Sequence, residues 1–347
     1  MPEEWPIAAT EADGDGRSRL AGRGRLATVR RDFFLDPAQR LTEQERALMT
    51  AMLHCLVSDV ADALRAALPS GRLAANDESD AVLIEELSAS GLLDIPELMA
   101  LLLRRADEER IATAARARSG RREARVLQGL VSHDYGAVAA AAMALILGRG
   151  RRRDRFGQCL IAFDDLSDTT AETLVQAIAA GMRSELAAAR GASAADAEIA
   201  RACDEVLNRR DEERGIDGLT AALVVFLDES DGLTDGLLLG AAHEGEVSFV
   251  AEALARRAGV PTESAIDELL SGEAGHIMAL LRMARASRQL SAGLLGGIGD
   301  LLGINDAGAA IARFDAMAEF EVEAARSWLV TARGYRAALE RLGQGRG

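Results

Sequence analysis

Two groups of residues in this sequence have side chains that could carry chemistry, a histidine on a long helix and a cluster of arginines. His54 is one of four histidines and lies within TAMLHCLVSDV, where apolar residues recur at three- and four-residue steps. A histidine that faces solvent on a helix can accept a phosphoryl group, and Asp59 and Asp62 follow it closely. His54 is therefore a candidate phosphoacceptor in a signalling or dimerisation module.

The surroundings of His54 favour a plainer interpretation. Cys55 stands directly after it, at the place where an acid would help to activate the histidine of a histidine kinase. At about 100° per residue, His54 lies about 120° from the centre of the apolar stripe, on the face that carries Ser58 and Asp62. The sequence favours a surface residue of a scaffold helix, and phosphotransfer stays as the alternative.

The arginine cluster is the second candidate. Thirteen arginines lie between Arg104 and Arg155, against six acidic residues. A guanidinium group binds carboxylates and phosphates through paired hydrogen bonds, so arginines that converge in space would bind an acidic protein or, as a further alternative, the phosphates of nucleic acid. A solvated helix face is the plain alternative. The candidate partner-binding residues are Arg116, Arg118, Arg121, Arg122, Arg151, Arg152 and Arg153.

Other kinds of site lack their usual sequence marks. None of the forty basic residues is a lysine, which excludes a Walker A lysine, a Schiff-base lysine and the strand-borne lysine of protein kinases. The chain has no C-x-x-C or H-x-x-x-H pair for zinc and no G-x-S-x-G elbow for a serine nucleophile. We therefore expect no enzyme activity, no metal and no cofactor. The glycines of GLLGGIGDLLG, residues 293–303, are expected to serve close helix packing.

Composition predicts an all-α fold in a reducing compartment. Hydrophobic residues make up 49% of the chain but aromatic residues only 3%, which indicates helix packing through small and aliphatic side chains. The three cysteines, Cys55, Cys159 and Cys203, are odd in number and far apart, as is typical of reduced thiols in a cytosol. The apolar stretch 136–148 is shorter than the roughly 20 residues that span a bilayer. We expect a soluble, cytoplasmic protein without membrane insertion.

The net charge of −15 is unevenly distributed. Residues 1–155 hold 23 arginines against 24 acidic residues, whereas the remainder holds 17 against 31. An acidic surface disfavours nucleic acid and anionic membranes as general partners. Charge that is polarised along the chain favours recognition of a charged protein partner.

Helices are predicted to position these residues. Thr42 and Glu45 form a T-x-x-E capping box that opens a helix to about Leu68. Asp94 before Ile95 and Pro96, and a second box at Thr169, mark two further helix starts. The other predicted helices cover about 80–89, 95–117, 121–132, 135–150, 168–190, 194–213, 217–228, 233–242, 246–258, 262–271, 274–286, 288–302 and 306–342.

These helices predict a HEAT-like α-solenoid, a helical-repeat array with a long C-terminal helix. DYGAVAAAAMALILGR and GEVSFVAEALARRAGV show the weak internal similarity expected of repeats. The expected organisation is a flexible tail over 1–32, a helical array over 33–158, a continuous second array over 159–304, and the long helix with a short tail over 305–347.

Two helices could mediate a homodimer. The helix that carries Met49 to Leu64 has one apolar stripe, and the C-terminal helix has Phe314, Trp328, Tyr335 and Leu342 at multiples of seven. A homodimer through the first helix, or through the Phe314–Leu342 helix, is therefore predicted beside packing of the C-terminal helix on the body.

Three stretches carry a family resemblance. They are LTEQERALMTAMLHCLVSDVADALRAAL, VLIEELSASGLLDIPELMALLLRRADEERIATAAR and GEVSFVAEALARRAGVPTESAIDELLSGEAGHIMALLRMA. They resemble segments of the bacterial family called domain of unknown function 2336, over about residues 35–286. The resemblance implies a helical-repeat fold and no established activity, and it provides no catalytic residue to carry over.

The sequence as a whole predicts a non-enzymatic cytoplasmic scaffold or adaptor. Its extended helical-repeat surface would bind a protein partner. Phosphotransfer through His54 is the first alternative, and nucleic-acid binding through the arginines is the second.

Overall fold

The computed structural model describes residues 41–68, 77–119 and 125–342, and these residues form an all-α protein. They contain sixteen α-helices and no β-strand, with two short 3₁₀ helices at Phe163–Asp165 and Glu212–Arg214 and a π-helical turn at Leu295–Gly299. The α-helices are α1 Glu43–Ala67, α2 Asp77–Ala89, α3 Pro96–Ser119, α4 Arg125–Leu130, α5 Gly136–Arg151, α6 Asp168–Arg190, α7 Ala192–Asn208, α8 Ile216–Glu229, α9 Asp235–His243, α10 Val247–Ala258, α11 Thr262–Leu270, α12 Ala274–Met283, α13 Arg288–Leu294, α14 Ala307–Ala316, α15 Glu319–Leu329 and α16 Arg333–Arg341.

Helix starts follow the capping residues, with one correction. The Thr42 hydroxyl accepts the Glu45 N–H at 3.1 Å, and the Glu45 carboxylate accepts the Thr42 N–H at 2.8 Å, so the first capping box is confirmed. The box predicted at Thr169 is wrong. Helix α6 is capped two residues earlier by Ser167, whose hydroxyl accepts the N–H of Thr170.

The prediction of one long C-terminal helix over 306–342 is wrong. The chain is extended at Met317 and Ala318, and the Glu321 carboxylate accepts the Ala318 N–H at 2.8 Å, so a new helix begins there. A second break separates α15 from α16. Phe314 is buried whereas Tyr335 is exposed, so these residues do not form one continuous seam.

The chain divides into two units between Ala47 and Leu48. The second unit contains two hydrophobic clusters. One takes its side chains from α1, α2, the first part of α3, α6 and α7; the other takes them from the end of α3, α4, α5 and α8 to α15. Each cluster draws residues from both sides of residue 158, so the boundary predicted there divides the chain but not the core.

Helix α1 buries the stripe that was predicted for it. Met52, Leu56, Val60 and Leu64 are fully or almost fully buried in the first cluster, so this stripe packs within the chain. Helix α1 is also long and apolar enough to cross a membrane by length and composition alone. Core helices of soluble proteins meet the same criterion, so the expectation of no membrane insertion stays a prediction.

The glycines of residues 293–303 allow α13 and the π-helical turn to pack closely on α9. A Cβ atom at Gly293 would lie 2.5 Å from a Leu239 methyl carbon, and one at Gly297 would lie 2.3 Å from the His243 ring. The His243 ring also lies 3.1 Å from the Gly293 carbonyl oxygen through Nε2. Close helix packing, as predicted, is what these two glycines serve.

Candidate functional site

Five arginines converge on one cavity of about 320 Å³. This volume is at the lower end of those that bind small molecules, and it also suits a side chain or a chain terminus of another protein. Three of the five are among the arginines that the sequence singled out. The arginines that line the cavity are Arg105, Arg116, Arg149, Arg152 and Arg153.

Helix α3 forms one wall of this cavity. Arg105, Glu109, Ala112 and Arg116 recur at steps of three or four residues and line the cavity together, because residues at this spacing share one face of a helix. Helical periodicity therefore explains why the charged side chains of Arg105, Glu109 and Arg116 line the cavity together.

The opposite wall combines the end of α5 with the turn between α9 and α10. Helix α5 contributes Ile146, Arg149 and Gly150, and the turn together with the start of α10 contributes residues 245–248. Gly245 has φ +75°, a left-handed conformation that favours glycine. A Cβ atom there would lie only 2.6 Å from the Ala112 Cα, so the turn approaches α3 more closely than a larger residue would permit.

A short hairpin closes the third side. Arg153 and Cys159 form an isolated antiparallel β-bridge, and the Asp154 carboxylate accepts the N–H groups of Phe156 and Gln158 at 2.8 and 2.7 Å. These bonds fix the loop between the two bridge residues and hold the Arg153 side chain at the cavity.

Arg152 lies in the base of the cavity as a buried structural residue. Its Nε donates to the Asp165 carboxylate at 2.7 Å, and its two Nη groups donate to the carbonyls of Gly148 and Arg214 at 3.1 Å each. The Asp165 side chain is only 1% exposed, and it also accepts the N–H of Ile216. Arg152 therefore ties the end of α5 to the segment that precedes α8.

Arg105 is the second buried arginine, and it is paired through α3 and α8. It donates to Glu108 at 2.8 Å and to Asp217 at 2.9 Å, and Arg104 also donates to Asp217. Burial alone would lower the pKa of Arg105, but Glu108 and Asp217 outweigh burial and raise that pKa. Arg105 therefore remains charged.

Asp217 gives this network a pH dependence. Burial opposes ionisation of the carboxyl group, but Arg105 and Arg104 outweigh burial and lower the pKa of Asp217 to about 2. Because the folded-state pKa lies below the ordinary value, the contribution of Asp217 to stability is complete above about pH 4. It is lost as the pH falls from about 4 towards 2.

We therefore expect Asp217→Asn to flatten the acid limb of the stability profile. The Asp217 side chain is 44% exposed, so solvent screening limits the expected difference to about 1 kcal/mol. Urea unfolding at pH 6 and at pH 2.5 measures it: the wild type should lose more stability than the variant between these two pH values. Equal losses would contradict an ionised pair at this position.

The remaining three arginines, Arg116, Arg149 and Arg153, form the partly exposed rim of the cavity. Arg153 donates to both oxygens of Glu109 at 2.8 and 2.7 Å, and Arg116 approaches the same carboxylate at 3.5 Å. Arg149 pairs with the buried Glu246. The rim thus places three guanidinium groups beside the carboxylates of Glu109 and Glu246.

Cys159 also lines the cavity, but it is unsuited to thiolate chemistry. Burial raises the pKa of its thiol, and Glu109 raises it further, whereas Arg153 and Arg105 act in the opposite direction with smaller effect. A thiol that stays protonated at neutral pH is a weak nucleophile. The chemistry that this arrangement supports is binding of an anionic group by guanidinium donors.

Two other predicted arginines, Arg118 and Arg151, do not line the cavity. Arg118 donates to both oxygens of Asp300 at 2.7 and 2.5 Å, and Arg151 is exposed at the end of α5. Arg121 and Arg122 lie outside the described residues. The structure therefore brings together Arg116, Arg152 and Arg153 of the predicted set.

His54 is exposed on α1, on the face opposite the buried stripe, as its helical position predicted. Of its two acidic neighbours, Asp62 accepts from Arg65 at 2.7 Å. Burial raises the pKa of Asp59, and the charge of Asp62 raises it further. Among the described residues, no group of three or more histidine, cysteine or acidic side chains could hold a metal ion.

Sequence reasoning missed several residues of the cavity. Arg105 and Arg149 belong to the arginine-rich segment but not to the predicted binding set, which also lacks Glu109, Gly245 and Glu246. One signal was present: Arg105 stands three and four residues before Glu108 and Glu109, the spacing of ion pairs on one helix face. No feature of the sequence around Gly245 indicates that this turn approaches α3.

Comparison with known proteins places the chain in a family. A family model described as an uncharacterised protein conserved in bacteria, domain of unknown function 2336, matches residues 85–329. Two of the three resembling stretches overlap this region, and the first, over residues 41–68, precedes it. No match was found among curated proteins or among solved structures. Because the match covers more than half of the sequence, the chain belongs to the bacterial family of domain of unknown function 2336.

Proposed function

We propose that this protein is a non-enzymatic cytoplasmic adaptor that binds a protein partner through the arginine-lined cavity. The partner would place an acidic side chain or its C-terminal carboxylate between Arg116, Arg149 and Arg153. The observation that carries the proposal is the convergence of five guanidinium groups on one concave site.

The local geometry supports a carboxylate more strongly than a nucleic-acid backbone. The guanidinium groups line a concave cavity with acidic side chains among them, whereas phosphate-backbone binding needs basic groups spread along an accessible surface. A planar guanidinium can accommodate a second carboxylate beside the one that it already contacts, because it has five N–H donors. The HEAT-like repeat arrangement belongs to the same proposal, because stacked helices would offer additional surface around the cavity.

Affinity capture tests the proposal. The tagged protein, and a variant with Arg116→Gln and Arg149→Gln, would be incubated with cytosol of the source cell at low and at moderate salt. We expect a defined protein partner to bind the wild type and to be lost, or reduced at least about tenfold, in the variant, because two half-buried charge contacts are removed.

A matched control separates the cavity from general charge. Arg183→Gln and Arg209→Gln remove two exposed arginines of α6 and the end of α7, which pair with Asp196 and Glu205, and this variant should retain the partner. Equal retention by the cavity variant, or no protein captured by the wild type at either salt concentration, would contradict the proposal. Capture of a histidine kinase or response regulator that is lost in His54→Gln would replace it with phosphotransfer.

A further inference from the structure

Helix α5 exposes an apolar face. At about 100° per residue, Ala140, Met143, Leu147 and Arg151 share one side of this helix, and all four are exposed. Met143 is 41% exposed and Leu147 is 53% exposed. The opposite side of α5 is buried in the second hydrophobic cluster through Val138, Ala142 and Leu145, so the helix carries apolar residues on both sides.

Helix α8 flanks this face and runs antiparallel to α5. A Cβ atom at Gly148, near the end of α5, would lie 2.6 Å from a Leu219 methyl carbon near the start of α8. The Gly232 turn that follows α8 lies against His133, just before the start of α5, with 3.5 Å between the Gly232 Cβ position and the His133 ring. Each end of the exposed face is therefore formed by the start of one helix and the end of the other.

Residues of opposite charge lie at the two ends of α5, although the exposed Glu212 and Glu213, just before α8, lie near the end where α5 terminates. Arg151 and Arg155 are exposed at the end where α5 terminates, and Asp134, Glu229 and Asp231 are exposed at the end where it begins. Within the part of the chain that the structure describes, none of these five side chains has an ion-pair partner; Arg155 stacks over the Phe156 ring at 4.7 Å. The 16 residues of α5 separate the two ends by roughly 24 Å.

This arrangement is complementary to itself under a two-fold axis. If two copies of α5 pack antiparallel about Met143, the apolar residues of one face the apolar residues of the other, and Arg151 of each copy meets Asp134 of the other. Isologous contact of this kind is the commonest way in which identical chains assemble. We propose that the exposed face of α5 is a homodimer interface and that its occupant is a second copy of this chain.

This dimer differs from the two that the sequence predicted. The Met49–Leu64 stripe is buried within the chain, and Phe314 is buried in the second cluster. The α5 face is independent of the proposed adaptor function, since it uses neither Arg116 nor Arg149. Self-association and partner capture can therefore fail separately.

Sedimentation velocity over a concentration series tests the proposal on the full chain. We expect a reversible monomer–dimer equilibrium in the wild type and a monomer throughout the same series for Leu147→Asp, because a charge would be buried in the interface. Leu103→Asp is the matched control, since Leu103 is 40% exposed on α3, and it should leave the equilibrium unchanged. A wild type that is monomeric throughout, or a dimer that survives Leu147→Asp, would overturn the proposal.

A charge exchange shows whether the contact is antiparallel. Arg151→Glu should weaken dimerisation by about tenfold, because the change occurs twice in a symmetric dimer and each exposed ion pair contributes modestly. Addition of Asp134→Arg to that variant should restore the wild-type equilibrium, since each reversed charge then meets a reversed partner. A double variant that is weaker than Arg151→Glu alone would overturn the antiparallel arrangement.

Cross-linking locates the axis. Met143 lies at the middle of α5, so in an antiparallel pair it is adjacent to Met143 of the other copy. In a Cys55→Ser background, which removes the exposed native thiol, Met143→Cys should form a disulfide-linked dimer under mild oxidation, and Leu103→Cys should not. Equal cross-linking of both variants would show random collision and would contradict the interface.

Discussion

Replacement of Arg152 by alanine is expected to lower the free energy of unfolding by about 3–5 kcal/mol, the range found when one partner of a buried ion pair is removed. The variant would leave the Asp165 carboxylate, which is 1% exposed, without its guanidinium partner. It would also remove the donors that Arg152 supplies to the carbonyls of Gly148 and Arg214. Urea unfolding followed by circular dichroism measures the loss.

The neighbouring arginine provides the control. Arg151 is exposed, so Arg151→Ala should change the free energy of unfolding by no more than about 0.5 kcal/mol. Arg152→Lys should restore only part of the lost stability, because an ammonium group cannot reproduce a guanidinium that donates in three directions. Similar losses for Arg151→Ala and Arg152→Ala would contradict the structural role of Arg152.

The run Arg151, Arg152 and Arg153 shows what a sequence cannot distinguish. The sequence predicts that all three arginines bind a partner. In the structure, however, Arg151 is exposed, Arg152 is buried and Arg153 is half-buried. Helix α5 ends at Arg151, so the residues that follow no longer obey helical periodicity. Their partners, Asp165 and Glu109, are distant in sequence or on another helix. Tertiary packing decides which carboxylate each arginine pairs with, so the sequence around the arginine does not indicate that partner.

The same sequence predicted the secondary structure well, for a physical reason. Apolar periodicity and the Thr42–Glu45 capping box are local signals, and local signals set where a helix forms and begins. The C-terminal helix was predicted too long because apolar residues kept a helical spacing across the break at Met317. There, the Glu321 side chain competes by capping a new helix. Glutamate is common both inside helices and in their first turn. The sequence alone therefore does not show that Glu321 caps a new helix; its hydrogen bond to the Ala318 N–H does.

Gly245→Ala is expected to be the second strongly destabilising change, with a loss of about 3 kcal/mol. An alanine in a left-handed conformation costs roughly 1 kcal/mol or more, and Gly245 has φ +75°. The new Cβ atom would also lie 2.6 Å from the Ala112 Cα and 2.9 Å from the Ala112 backbone nitrogen. Because these are backbone atoms of α3, relief requires movement of the turn or the helix, and overpacking of this kind costs about 1–3 kcal/mol.

Gly91→Ala separates these two contributions. Gly91 has φ +74°, and no atom lies within 4 Å of its Cβ position, so only the conformational cost of about 1 kcal/mol applies. A greater loss for Gly245→Ala, measured by urea unfolding of both variants, would show that the close approach of the Gly245 turn to α3 stabilises the fold. Ala112 and Gly245 both line the cavity, so the variant should capture the proposed partner less well under conditions in which it remains folded. Equal losses in the two variants would show instead that α3 and the turn adjust freely, and the cavity would then lack the fixed walls that a specific acidic ligand requires.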